Sequence, residues 1–176
     1  KQGYIGGEAG TLLITQDGGL TWNSMQAPTK RSIYKIVTDP SVKNAFIFTG
    51  AYGLWGYCYT DTARCFLRST NQDHHYHAIT LAQAASAPNK MYVVASGSNG
   101  TIEAIDDSIG PKSLHPIINA SEAIPADIAA ADMPLPLKPN YGGGQLVLIA
   151  STNGTVYRST DAGYTFHPQA TGLTGD

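Results

Sequence analysis

The residues best suited to directed contacts crowd into one stretch, Ala51 to Arg64, which carries Tyr52, Trp55, Tyr57, Tyr59, Asp61 and Arg64. Flat rings with polar tips stack on sugar rings or anchor a protein partner. The bland alternative is a segment whose rings pack on one another or on a neighbouring element. Cys58 and Cys65 bracket its second half. Across a hairpin in register they are expected to form a disulfide, which implies an oxidising compartment; the alternative is two reduced thiols of a cytosolic protein.

Other chemistry is sparse. His74, His75 and His77 lie close together, but with only Asp73 as a nearby carboxylate they read as a solvated turn rather than a metal site. No metal or cofactor is expected. Glu8, Glu103 and Glu122 are scattered, as are Arg31, Arg64, Arg68 and Arg158. The glycosylation sequons at Asn99, Asn119 and Asn153 permit glycans in a secreted eukaryotic protein, yet two of them coincide with Asn-Gly turn signals that suffice to explain them.

The elements that must position these residues are announced by a repeated octet. Thr15-Gln16-Asp17-Gly18-Gly19-Leu20-Thr21-Trp22 and Ser159-Thr160-Asp161-Ala162-Gly163-Tyr164-Thr165-Phe166 match position for position as [S/T]-x-D-x-G-x-T-aromatic. The carboxylate can accept backbone N–H groups just ahead of it, the glycine takes a backbone angle closed to other residues, and the aromatic returns to the core. Each is a self-braced turn between strands. Degenerate copies follow from the flanks: Ser69 to Tyr76, with Asn71 in the Asp slot and Tyr76 in the aromatic slot, and a copy at Asp107 after Gly100-Thr101-Ile102. The slots at 17, 71, 107 and 161 are spaced 54, 36 and 54 residues apart, which implies stacked repeats.

In these octets the chain resembles the Asp-box (BNR) repeat family of β-propellers, which includes sialidases, xyloglucan-cleaving hydrolases, sortilin-type receptors and photosystem II assembly factors. The resemblance implies an all-β propeller of about four blades, one partial (1–26) and three complete (33–79, 79–118 and 127–169), forming one repeat domain over 1–176. The first blade lacks its innermost strand, and in the second the third strand is expected only at Phe66. Fewer blades than the family's usual number imply a segment of a larger propeller, a four-bladed ring or a ring completed by association. The start at Lys1, without Met, reads as an excerpt.

The resemblance also assigns roles. Thr15, Asp17, Gly19, Thr21, Trp22, Asn71, Tyr76, Asp107, Ser159, Asp161, Gly163, Thr165 and Phe166 become structural residues of turns on the face away from the ligand. Ala51–Arg64 becomes a long loop between second and third strands on the ligand face, where the other three turns, Glu8-Ala9-Gly10, Ser98-Asn99-Gly100 and Thr152-Asn153-Gly154, are tight. Neither a sialidase's arginine triad and Tyr/Glu pair nor the hydrolases' two carboxylates is recognisable.

Composition agrees with this reading. The chain has 176 residues, 42% hydrophobic and 14% charged, enough to bury a core. Nineteen glycines and ten prolines suit many turns. A net charge of −2 without a basic face argues against nucleic acid, and no apolar run reaches the ~20 residues of a bilayer span. The expected function is an extracellular or periplasmic module binding a glycan or protein. The alternative is a glycoside hydrolase fragment whose carboxylates lie partly elsewhere. The remainder of a larger propeller or a second copy of the chain are further expected partners.

Overall fold

A computed structural model describes residues 1–38, 42–69, 74–83, 91–106, 115–119, 127–132, 146–160 and 165–171. They form four antiparallel meanders. The first has three strands: β1 (Gly3–Gly6), β2 (Leu12–Thr15) and β3 (Asn23–Ser24). The second contains β4 (Ile33–Thr38), β5 (Ala45–Gly50), β6 (Leu54–Tyr59) and β7 (Arg64–Ser69). The third contains β8 (Tyr76–Gln83), β9 (Met91–Gly97), β10 (Ile102–Asp106) and β11 (His115–Asn119). The fourth contains β12 (Ile128–Asp132), β13 (Val147–Ser151), β14 (Val156–Ser159) and β15 (His167–Gln169). Within each sheet every strand pairs with its neighbours in sequence, so the all-β class holds, and among the described residues the first sheet has three strands where the others have four. Among the described residues no helix is long and apolar enough to cross a membrane.

The chain divides into two compact units, Lys1–Tyr76 and His77–Asp176. In the first, the two sheets pack around Leu12, Met25, Ile33, Phe46, Phe48, Leu54 and Cys58, with Tyr4, Ile14, Ile36 and Leu67 closing the edges. Tyr4 lies 4.4 Å from Phe46 between ring centroids. The strand alternation explains the arrangement: Phe46, Phe48, Leu54 and Cys58 occupy one face of the second sheet, and Ile47, Thr49, Trp55 and Tyr57 the other. Both faces are buried. Gly56 is required on the crowded face, because a Cβ there would run into the Phe48 ring that faces it across the ladder. In the second unit Ile102, Ile128, Val147, Ile149, Tyr157 and Phe166 are buried.

One turn recurs between second and third strands. Gly7 N–H donates to the Thr11 carbonyl at 3.0 Å, and Gly97 N–H to that of Thr101 at 2.9 Å. The Thr11 and Thr101 hydroxyls return to the carbonyls of Glu8 and Ser98 at 2.7 and 3.0 Å. In both, two successive residues have positive φ: Ala9 and Gly10, Asn99 and Gly100. Tyr52 and Gly53 repeat that pair between β5 and β6. Glycine second in the pair supplies the left-handed conformation without strain. At Gly10 there is no alternative, since a Cβ would also strike the Thr29 carbonyl.

This recurrence corrects the expected second blade. The segment after Ala51 is no insertion: residues 51–53 make a tight turn, Leu54–Tyr59 is the third strand and Arg64–Ser69 the fourth. Ser69 therefore ends a sheet and Tyr76 opens the next, so the copy at Ser69 to Tyr76 is not a turn between third and fourth strands. That turn is Thr60 to Ala63, where Thr60 N–H and hydroxyl both bond the Asn44 carbonyl at 2.8 and 3.1 Å. With Asp61 in place of Asn71 the slots stand 44, 46 and 54 residues apart, a more even period. Asn71, Asp107, Asp161 and Gly163 lie outside the described residues, although the strands flanking Asp107 and Asp161 are third and fourth strands of their sheets.

The first octet is described in full. Asp17 accepts the Thr21 N–H at 3.0 Å and the hydroxyls of Thr21 at 2.6 Å and Thr15 at 2.7 Å, while the Thr15 hydroxyl accepts the Gly19 N–H at 2.9 Å. Trp22 departs from expectation, being 38% exposed rather than core, and its indole N–H bonds the Gly19 carbonyl at 3.1 Å. The Thr21 side-chain and backbone donors, then the Thr15 hydroxyl, hold the Asp17 carboxyl well below its ordinary value of 3.8. A carboxylate with a depressed folded pKa adds stability above the unfolded value and loses it as pH falls through the folded one. Asp17→Ala is therefore expected to melt a few degrees below the unsubstituted chain at pH 7, and the gap should narrow on titration below pH 4. An equal gap at pH 7 and pH 2 would refute the bracing role.

Candidate functional site

The six residues expected to share a loop are dispersed by the second sheet. Trp55 and Tyr57 are each 1% exposed and are core, with Trp55 packed edge-on against Tyr76 at 6.1 Å. Tyr59 ends β6, tilted against Tyr57 at 5.1 Å and edge-on to Phe66 at 6.3 Å. Asp61 and Arg64 are exposed at the β6–β7 turn, at the end of the sheet opposite the β5–β6 turn. Tyr52 alone of the six stands exposed at the β5–β6 turn. Consecutive turns of a meander alternate ends, so a strand where a loop was expected separates the set.

Tyr52 belongs instead to a cluster assembled from three segments. Its ring lies 4.9 Å from that of His75, and the Tyr34 ring lies 6.2 Å from His75. Tyr34 is the extra residue of a β-bulge, where the β4–β5 register shifts between Ile33 and Lys35. The turn itself is tied down on each flank. Arg31 donates from Nη1 to the Tyr52 carbonyl at 2.9 Å, Ala51 N–H to the Ser32 carbonyl at 3.0 Å, and Gly53 N–H to the His74 carbonyl at 2.6 Å. Tyr34 and Tyr52 are 44% and 54% exposed. Two exposed tyrosines near one imidazole, with the Arg31 guanidinium on the Tyr52 carbonyl, offer surfaces for stacking and hydrogen bonding to a ligand ring or a partner's side chains.

Tyr34 and His75 were not among the residues expected at the site. Their signal was indirect: aligning Ala51-Tyr52-Gly53 with Glu8-Ala9-Gly10 and Ser98-Asn99-Gly100 marks Tyr52 as the turn's variable residue, next to the strand that begins at Ile33. Among the described residues no three His, Cys, Asp or Glu side chains are grouped to hold a metal. Glu103 is buried, with Oε2 accepting no hydrogen bond among the described residues. Cys58 and Cys65 are joined, facing each other across β6 and β7 with Cα atoms 4.1 Å apart. No protein-family model matches the chain, and no curated protein is detectably similar to it.

Proposed function

We propose that this chain is an Asp-box β-propeller segment that acts outside the reducing cytosol as a binding module for a carbohydrate or protein, with the Tyr52 platform as its contact surface. The observation that carries the reading is Tyr52 itself. A bulky aromatic is held at φ 56, at a turn whose counterparts place Ala9 and Asn99 in the same conformation. Holding tyrosine there is disfavoured by about 1 kcal/mol, and a bulky side chain kept at that cost on an exposed residue supports a functional role. The Cys58–Cys65 bond supports the compartment.

Tyr52→Asn separates the two roles. Asparagine tolerates the left-handed region, so the variant should gain ~0.5–1 kcal/mol of stability by denaturant unfolding. It should also bind the tightest ligand from a glycan array, or from a panel of extracellular protein domains, at least tenfold more weakly, as expected for a stacking anchor. Unchanged affinity in a more stable variant would sink the proposal. Hydrolysis of a bound glycan would replace it with the glycoside hydrolase alternative.

A further inference from the structure

The triplet Asn-Gly-Thr occurs twice, at Asn99-Gly100-Thr101 and Asn153-Gly154-Thr155, each time in a turn between second and third strands. An asparagine before glycine can convert itself. The glycine main-chain nitrogen attacks the asparagine Cγ, the Cγ–Nδ2 bond breaks and ammonia leaves, and water then opens the cyclic imide to aspartate or isoaspartate. Glycine suits the attack because it carries no side chain to shield its nitrogen. With the same three residues at both places, any difference in reactivity must come from the fold.

The two turns hold their reacting groups differently. Asn153 Oδ1 accepts the Thr155 N–H at 3.0 Å and the Ser151 hydroxyl, and the Gly154 N–H donates to the Ser151 carbonyl at 3.1 Å. Electrophile and nucleophile are thus both tied down, and reaction there gives up these bonds. Asn99 is exposed, and among the described residues neither its side chain nor the Gly100 N–H makes a hydrogen bond. Only the main-chain N–H of Asn99 is held, by Asp127 Oδ1 at 2.7 Å. Its turn is also the more loosely closed of two sisters: Thr101 N–H reaches the Ser98 carbonyl at 3.3 Å, where Thr11 N–H reaches that of Glu8 at 2.9 Å.

We infer that Asn99 is a self-modification site, a one-way timer that converts to aspartate or isoaspartate while Asn153 is preserved. The product puts a carboxylate on residue 99, whose N–H already bonds the Asp127 carboxyl group, so two like charges meet at one turn. Isoaspartate also adds a methylene to the main chain inside a turn whose span is set by Gly97 N–H on the Thr101 carbonyl at 2.9 Å. The β9–β10 turn therefore loosens with age and the β13–β14 turn does not. The inference does not depend on the Tyr52 platform.

The test ages the intact chain at mildly alkaline pH, where the attacking nitrogen ionises more readily, and maps it with trypsin. Lys112 lies between the two asparagines, so separate fragments report each one. The mass gain from exchanging –NH₂ for –OH is expected roughly tenfold faster at Asn99 than at Asn153, because each hydrogen bond surrendered adds to the barrier. In urea the two rates should converge. Amide hydrogen exchange at Gly97 and Thr101 should be faster in the aged chain than in the fresh one, and unchanged by ageing in Asn99→Gly, which suits the left-handed turn and has no amide to lose. Asn153 converting as fast as Asn99 in the folded chain, no conversion at Asn99, or a rate difference that persists in urea each overturns the inference. So does a converted chain with unaltered exchange at Thr101, or the same ageing change in Asn99→Gly.

Discussion

Trp55→Ala is expected to remove about 3–5 kcal/mol of stability, the range for deleting a large buried aromatic. The indole is 1% exposed, stands opposite Thr49 on the ladder and meets Tyr76 edge-on. Among the described residues its N–H has no hydrogen-bond partner and neither has the Thr49 hydroxyl, so what the ring contributes is apolar packing. That makes Trp55→Phe informative. It keeps most of the packing and deletes a buried N–H with no acceptor, and should cost less than half as much as the alanine change. Urea unfolding of both variants decides the matter. If Trp55→Ala keeps the parental midpoint, the ring is not core and the β6 assignment is wrong.

The second large effect is covalent. Replacing Cys58 and Cys65 together with alanine should lower stability by about 2–3 kcal/mol, the loop-entropy value for a closure this short. The bond joins residues directly opposed on β6 and β7, and Cys58 is fully buried in the core beside Leu54. Unfolding midpoints with and without dithiothreitol provide the check: the reductant should bring the unsubstituted chain down to the double variant and leave that variant unmoved. Two titratable thiols in the unfolded, unreduced chain would contradict the bond outright.

The meander plan was legible in the residues because strand alternation and Gly-marked turns are local signals. Ala45–Gly50 and Met91–Gly97 fall within the repeats expected at 33–79 and 79–118. The second sheet was misread for two physical reasons. Tyrosine stands where the sister turns carry alanine or asparagine, which hid Gly53 as the turn glycine. β6 is also buried on both faces, so Leu-Trp-Gly-Tyr-Cys-Tyr shows no alternation and resembles an aromatic loop rather than a strand. With that strand hidden, the octet at Ser69 to Tyr76 offers the nearest match to the repeated turn. The Tyr52 platform could not be read locally at all, since Tyr34 and His75 join it through a bulge and a connection between sheets.

The position of the Cys58–Cys65 bond has a consequence for proteolysis. The residues between the two cysteines include the exposed Thr60 to Arg64 turn, whose tip projects Asp61, Thr62 and Ala63 into solvent. Tips of this kind are where proteases nick folded domains. A tryptic cut after Arg64 would open the backbone inside the covalent ring, so the two pieces would stay joined and migrate as one chain until reduced. The linkage thus holds the two pieces of a chain cut at this exposed turn together, and a gel shows the nick once the bond is reduced.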